Sequence, residues 1–520
     1  MTRHSDAPPE RPAARYLALP CGAAFLAGAA CVLGFAPIYA WPVPMLAMAV
    51  LAFVWLRSAT PFAAALAGYA FGLGLFLFGV SWVFVSLHEY GSMPAVLAAI
   101  ATLLFCAYLA LFPAFAGGLA VRFAGASRPW RLVAFPGTFV LMEWLRGTLF
   151  TGFPWLTLGA SQAPASPLVG LAPYVGSYGL TLAIAAIGGL LAALLSPGAS
   201  VRARGALASG IAGIFLVAVL AGRVPWTQPS AAPLAVALLQ GNVSQHVKWN
   251  EDVRTKTLLD YRRMVFDAQA ARVIVLPETA LPAFLDQLPQ DYLASLEQFA
   301  RAGGKDILMG TVEREFHGHD YEYFNSLVSL AGPLSQPYRK RHLVPFGEYI
   351  PTGFGWVLAI LKIPLSDFSR GAESQPAIAA GGTRFGIAIC YEDVFGSEVI
   401  KALPAAQVLL NVSNMAWFGN SLAPPQQLQE SQMRALETGR WMVRSTNTGV
   451  TAAIDERGRV VARLPLFTHA TLIANVIPRS GMTPYARAGN LAALAIALAL
   501  VLAAALRTRS RLSASGPRRL

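Results

Sequence analysis

Three residues of this 520-residue chain each read as standing just after a strand, and their side chains together could break and remake an acyl bond. They are Glu278 in Val273-Ile-Val-Leu-Pro-Glu278-Thr, Lys340 in Tyr338-Arg-Lys340-Arg-His-Leu-Val-Pro-Phe-Gly-Glu348, and Cys390 in Phe385-Gly-Ile-Ala-Ile-Cys390-Tyr-Glu392-Asp. A thiol supplies a nucleophile, a carboxylate can take its proton, and an ammonium favours both the thiolate and the oxyanion of a tetrahedral intermediate. Singly, none is diagnostic. A strand-end cysteine is commonly a small buried residue, a glutamate there is commonly a cap or an ion pair, and Lys340 lies in a basic run of the kind that faces solvent. Their joint occurrence just past three strands, where loops present side chains from a rigid scaffold, points to covalent acyl transfer.

The elements that must position these groups lie between residues 224 and 487. Leu234–Gln240, Val273–Leu276, Ile307–Gly310, Leu327–Leu330, Phe385–Ile389 and Val408–Val412 read as short buried strands, and Asn250–Ala271 and Gln426–Trp441 as amphipathic helices. Turn residues Asp455–Gly458 make Val450–Leu464 a hairpin. Strands alternating with helices imply a layered α/β domain. His317 and His319 lack further ligands at suitable spacing, so Phe316–Tyr321 reads as a solvated loop rather than a metal site. The four cysteines form no C-x-x-C knuckle and are too scattered for a disulfide scaffold, which argues against structural zinc and iron–sulfur clusters.

The rest of the chain has membrane composition. Hydrophobic residues make up 55% of the sequence and charged residues 13%, against roughly 25% charged in soluble domains. Between Tyr16 and Gly222 the only acids are Glu89 and Glu143. Apolar runs near 17–36, 40–56, 62–86, 93–121, 131–149, 170–195, 206–222 and 489–506 give eight expected spans. Arginines at 3, 11 and 15, at 57, at 122, 128 and 131, at 202 and 204, and at 507, 509, 511, 518 and 519 all fall on one side of such a bundle, which the positive-inside rule makes cytoplasmic. Much of the +13 net charge is therefore topogenic, and nucleic-acid binding loses its best argument. The expected organisation is a cytoplasmic arm (1–16), a seven-span bundle (17–223), an extracytoplasmic catalytic domain (224–487), an eighth span (488–506) and a basic cytoplasmic tail (507–520). Glu143 and Arg146, i and i+3 on one span, are either a functional intramembrane pair or a helix anchor.

In these surroundings the three residues resemble the Glu-Lys-Cys triad of the nitrilase, or carbon–nitrogen hydrolase, superfamily, and the chain as a whole resembles its membrane-fused branch, the apolipoprotein N-acyltransferase family. The resemblance is carried by Trp144-Leu-Arg-Gly, Thr151-Gly-Phe-Pro-Trp155, Leu239-Gln-Gly-Asn242 with Trp249, Val344-Pro-Phe-Gly-Glu348 and Asn411-Val-Ser-Asn-Met-Ala-Trp-Phe-Gly419. Met415 departs from it, standing where a small or acidic residue is expected. The resemblance implies an αββα sandwich, with Glu278 as base, Lys340 at the oxyanion and Cys390 as nucleophile. A backbone N–H near Tyr391 would assist at the oxyanion. Glu348 and Glu392 would surround the triad and keep Lys340 charged and oriented, Asn414 would lie in the site's motif, and Trp249, Tyr391 and Trp417 would line the entrance. The reaction implied moves an acyl chain from a phospholipid, typically phosphatidylethanolamine, to the α-amino group of a diacylated apolipoprotein at the bacterial inner membrane, with the catalytic domain in the periplasm and no metal or organic cofactor. A water-directed membrane-tethered amidase, an acyltransferase acting on hydroxyls, and a transporter or scaffold with an inactive domain are the alternatives. The apolar stretch Gly353–Leu361, with Phe354 and Trp356, reads either as a buried helix or as a lid over the site.

Overall fold

The computed structural model describes residues 13–248, 250–318, 320–330, 337–350 and 367–514. Eight helices build the apolar bundle: Ala13–Cys31, Val43–Arg57, Pro61–Gly79, Ala95–Ala124, Arg128–Arg146, Ala172–Leu194, Val201–Ala221 and Leu491–Ala514. Six segments among the described residues are long and apolar enough to cross a membrane: Leu17–Gly34, Pro61–Gly79, Ala95–Ala124, Pro167–Leu194, Val201–Ala221 and Leu491–Thr508. Val43–Arg57 is apolar but only 15 residues long, and Arg128–Arg146 carries Arg128, Arg131, Glu143 and Arg146. The chain is thus a multi-pass membrane protein whose helices differ in how plainly each is built to span. Glycines let the helices meet closely: a Cβ on Gly28 would sit 2.0 Å from the carbonyl oxygen of Phe71, and one on Gly74 would sit 2.1 Å from that of Phe25. Small residues at such crossings bring backbones together where lipid supplies no hydrophobic drive for association.

One span ends earlier than the sequence suggests. The apolar run 62–86 is helical only to Gly79, then breaks into the short helix Trp82–Val85 and a π-turn over Ser86–Tyr90. Polar Ser81 interrupts the run before it is exhausted, and Ser86, His88 and Glu89 follow at its end.

Beyond the seventh helix the chain forms two six-stranded sheets packed face to face. The first places Ala470–Val476, Leu234–Gln240, Val273–Val275, Asp306–His317, Asp320–Ser329 and Tyr338–Arg339 side by side. The second runs Val460–Arg463, Ala452–Ile454, Trp441–Thr446, Val408–Ser413, Thr383–Ile389 and Ile378–Ala380. Period-two alternation explains the layers. Leu234, Val236 and Leu238 meet Phe385, Ile387 and Ile389 between the sheets, while Ala237 and Leu239 turn outward onto helices Glu251–Asp267 and Gln290–Ala302. Leu409 and Met442 turn outward onto helix Ala423–Thr438. The order is helix, sheet, sheet, helix. Truncating a side chain at the middle layer, such as Ile387→Ala, costs about 2–5 kcal/mol by leaving a cavity. A two-stranded ribbon pairs Thr227–Pro229, at the entry to the sandwich, antiparallel with Arg479–Gly481 at its exit.

Three expectations need correction. Helix Gln426–Trp441 lies instead at Ala423–Thr438, with Trp441 opening a strand, and it is not amphipathic in its setting, being buried along its whole length. Phe316–Tyr321 is not an open loop: strands Asp306–His317 and Asp320–Ser329 stay paired to its tip, where His317 faces Asp320, and Gly318 at φ +69° allows the reversal. His319 lies outside the described residues, as does the stretch Gly353–Leu361. Helix Asn250–Ala271 is confined to Glu251–Asp267.

Candidate active site

The first sheet delivers two carboxylates and a cation to one end of the sandwich. Glu278 follows strand Val273–Val275, and Lys340 follows Tyr338–Arg339. Lys340 is 1% exposed. Its Nζ donates to Glu348 Oε1 at 2.8 Å and reaches Glu278 Oε1 at 3.5 Å. Glu278 is held at both oxygens: Oε1 accepts from Asn325 Nδ2 at 2.7 Å and Oε2 from the Asn414 backbone N–H at 2.7 Å. Glu348 accepts from Asn325 Nδ2 at 2.9 Å and from the Val344 N–H at 2.8 Å. Burial works against the lysine charge, but Glu348 and Glu278, with Cys390, outweigh it and hold the ammonium above its ordinary pKa.

The second sheet delivers the thiol. Strand Thr383–Ile389 ends at Cys390, which opens a short 3₁₀ turn with φ +53°, a left-handed conformation that costs energy in a residue bearing a Cβ. Two side-chain amides fix this turn through the Cys390 carbonyl, Asn411 Nδ2 at 3.0 Å and Gln427 Nε2 at 2.8 Å. The thiol pKa is pushed up to about 12, first by burial and then by Glu278, with Lys340 and a hydrogen bond from Ser413 opposing. At neutral pH the group is a thiol. A nucleophilic role would therefore call for a base at the moment of attack rather than a standing thiolate.

Glu392 joins the two sheets. Its Oε1 accepts from the backbone N–H groups of Arg341 at 2.8 Å and His342 at 3.1 Å, and its Oε2 from Ile389 N–H at 2.7 Å and the Tyr338 hydroxyl at 2.9 Å. It does not hold the Lys340 ammonium, as the sequence suggested. It ties the backbone just after Lys340, and the Tyr338 hydroxyl just before it, to the turn that carries Cys390.

The bundle reaches up to this turn. Tyr391 lies against Phe153 and Trp155, ring centroids 6.3 and 6.2 Å away, and its hydroxyl donates to the Gly152 carbonyl at 3.3 Å. Arg146 Nη1 donates to the carbonyls of Phe153 at 2.5 Å and Trp155 at 2.8 Å, and Glu143 Oε1 accepts from Leu158 N–H at 2.9 Å. This pair thus braces the loop that meets Tyr391. Trp417 lies on the turn after Asn414, edge-on to Tyr90 of the π-turn. Met415 is buried in the core shared with the bundle. Trp249, Phe354 and Trp356 lie outside the described residues.

Sequence reasoning missed three features. Asn325 spans both carboxylates, and its signal was an amide between Phe324 and Ser326 in a strand that began earlier than expected. Lys248, buried, donates to Thr279 Oγ1 at 2.8 Å beside Glu278, and burial lowers its pKa to about 8 against the pull of Glu278. Helix Ala423–Thr438 presents Gln426, Gln429 and Gln432 at intervals of three to the bundle. Gln426 takes both indole N–H groups of Trp82 and Trp155 at 3.1 and 2.8 Å, and Gln429 bonds the backbone of Ala36 and Ala163.

Known proteins resemble this chain along most of its length. Residues 27–190 match the family described as apolipoprotein N-acyltransferase N-terminal domain, and residues 235–486 match carbon-nitrogen hydrolase. The chain is 50% identical over 478 residues to an apolipoprotein N-acyltransferase of Nitrosomonas europaea, covering 91% of this chain and 94% of that one. It is 47% identical to that of Methylococcus capsulatus, covering 89% and 91%, and 43% identical to that of Ralstonia nicotianae, covering 91% and 90%.

Proposed function

The chain belongs to the apolipoprotein N-acyltransferase family, and from that premise we propose how its residues carry out the transfer. It is an acyltransferase that N-acylates lipoproteins. The donor is a phospholipid, with phosphatidylethanolamine the preferred head group, and the acceptor is the α-amino group of a diacylglyceryl-cysteine. In the first half-reaction Cys390 Sγ attacks the ester carbonyl while its proton passes to Glu278. Lys340 faces the resulting oxyanion. Collapse breaks the ester C–O bond, Glu278 returns the proton to the departing glycerol oxygen, and a lysophospholipid leaves behind a thioester. In the second, the neutral amine attacks the thioester, Glu278 takes its proton and passes it to the departing sulfur, and the amide product forms as the thiol is restored.

One observation supports this reading above the others: Lys340 is buried between two carboxylates, Glu278 and Glu348, next to a thiol whose pKa stands near 12. Glu278, held at both oxygens beside a thiol too weakly acidic to ionise alone, is the group placed to accept the Cys390 proton. Intact-protein mass spectrometry with phospholipid and no acceptor tests it. A thioester-linked acyl chain removed by neutral hydroxylamine is expected on the wild type and not on Cys390→Ala; a wild type that turns over without such an adduct refutes the covalent route.

All eight bundle helices are taken to cross the bilayer, which sets the arginine-rich segments inside and the sandwich in the periplasm. An impermeant maleimide applied to spheroplasts should then label Arg457→Cys and not Arg204→Cys in an otherwise reactive-cysteine-free background.

A further inference from the structure

The π-turn Ser86–Tyr90 breaks the run of the third helix where the bundle meets the sandwich, and such irregular turns concentrate at functional sites. It carries Glu89, one of two acids between Tyr16 and Gly222. Glu89 is exposed and makes no ion pair or hydrogen bond among the described residues. Beside it, Tyr90 stacks on the exposed His246 with ring centroids 4.8 Å apart and meets Trp417 edge-on at 6.3 Å. A Cβ on Gly419, two residues past Trp417, would sit 3.9 Å from Glu89 Oε2 and 3.6 Å from the Tyr90 hydroxyl, so the carboxylate leans over the same turn as the rings.

This cluster is tied to the proposed chemistry by two hydrogen bonds. Asn414 Nδ2 donates to Gln245 Oε1 at 2.9 Å, next to His246, and the Asn414 N–H donates to Glu278 at 2.7 Å. An accessible carboxylate flanked by aromatic faces recognises a cation by charge and by the ring quadrupoles together. We propose that Glu89, Tyr90, His246 and Trp417 form a binding site for a primary ammonium group, borne by the donor's head group or by the acceptor's amino terminus. The inference rests on the lipid-to-amine reading above. The head group fits better, because an ethanolamine stays charged throughout the reaction, whereas the acceptor's amine must be neutral when it attacks and a carboxylate holds it protonated.

The test is equilibrium binding to the Cys390→Ala protein in detergent micelles at pH 6.5, where no thioester can form and an α-amine of ordinary pKa is charged. Fluorescent phosphatidylethanolamine and phosphatidylglycerol form one arm. Diacylated lipopeptide with a free or an acetylated amino terminus forms the other. An about tenfold preference for the ammonium-bearing ligand is expected, falling to about one in Glu89→Gln and largely retained in Glu89→Asp. Collapse of the lipid ratio assigns the site to the donor, and collapse of the lipopeptide ratio assigns it to the acceptor. Ratios unchanged in both arms, or binding lost equally for ligands with and without the ammonium, overturn the proposal. Because the readout is binding alone, it stands or falls separately from the hydroxylamine result.

Discussion

Two charge clusters flank the Cys390 turn, and they are built on opposite principles. Behind it, Arg444 and Asp393 are fully buried and matched one to one. Arg444 Nη1 meets Asp393 Oδ2 at 2.5 Å and the Ser431 hydroxyl, Arg444 Nη2 donates to Gln427 Oε1 at 2.8 Å, and Ser431 and Gln427 complete the aspartate's bonds. In front of it, Lys340 faces both Glu278 and Glu348. The balanced cluster has no proton to seek and serves to shape the turn. In the other, two carboxylates share Lys340 beside the thiol, with Lys248 close to Glu278, so no carboxylate is spent on a pair of its own and proton transfer can use one of them. Burial alone does not mark a charge as chemical; how its partners share it does.

The largest effect that would sharpen this contrast is on turnover. Glu278→Gln should lose about 10²–10⁴ in kcat with a thermal midpoint near that of the wild type, since the amide keeps the shape but not the basicity. A variant that kept its activity would remove Glu278 from the mechanism. Arg444→Met should do the reverse, destabilising by about 3–5 kcal/mol because Asp393 is left buried without its partner, whereas Arg444→Met with Asp393→Leu should regain most of that loss. Denaturation monitored in detergent, run in parallel with acyl transfer, distinguishes the two. Lys340→Arg keeps the charge but offers a planar fork in place of a compact ammonium, and a loss of about 10²–10³ is expected in steady-state kinetics.

A smaller effect concerns the thiol itself. With a pKa near 12, Cys390 should alkylate slowly with iodoacetamide at pH 7.5, about tenfold faster for each pH unit through pH 10. Glu278 is one of the groups that raise this pKa, so Glu278→Gln lowers it and should alkylate faster at every pH in that range while turning over more slowly. Alkylation slowed in step with turnover would break the argument. The smallest effect is expected for Glu348→Gln, about tenfold in kcat, since Glu278 still keeps the ammonium charged.

How much of this could be read from the residues depends on what covers them. Strand Leu234–Gln240 was legible to the residue because both of its faces are apolar and turns bound it. The three proposed catalytic groups were legible because each stands at a strand end, but Asn325 was not, since it lies within a strand and only pairing brings its amide to both glutamates. Helix Ala423–Thr438 misled for a different reason. Its glutamines look like a solvent face, and only a partner elsewhere in the chain, the bundle loops with their tryptophans and open carbonyls, turns that face inward. Periodicity reports which side is polar and not what the polar side meets. Glu392 was found but misassigned, because the backbone groups it serves are invisible to a motif.

The short ribbon between Thr227–Pro229 and Arg479–Gly481 has a mechanical consequence. It cross-ties the two ends of the sandwich where they leave and rejoin the bundle, while the glutamine helix bolts its underside to the loops below. A body fixed at its two roots and along its base cannot swing on a single pivot as a hinged domain does. The proposed reaction centre is then held at a constant elevation over the helices, like a workpiece in a vice, and substrates of different size would reach it by threading past side chains and loops while the platform stays still.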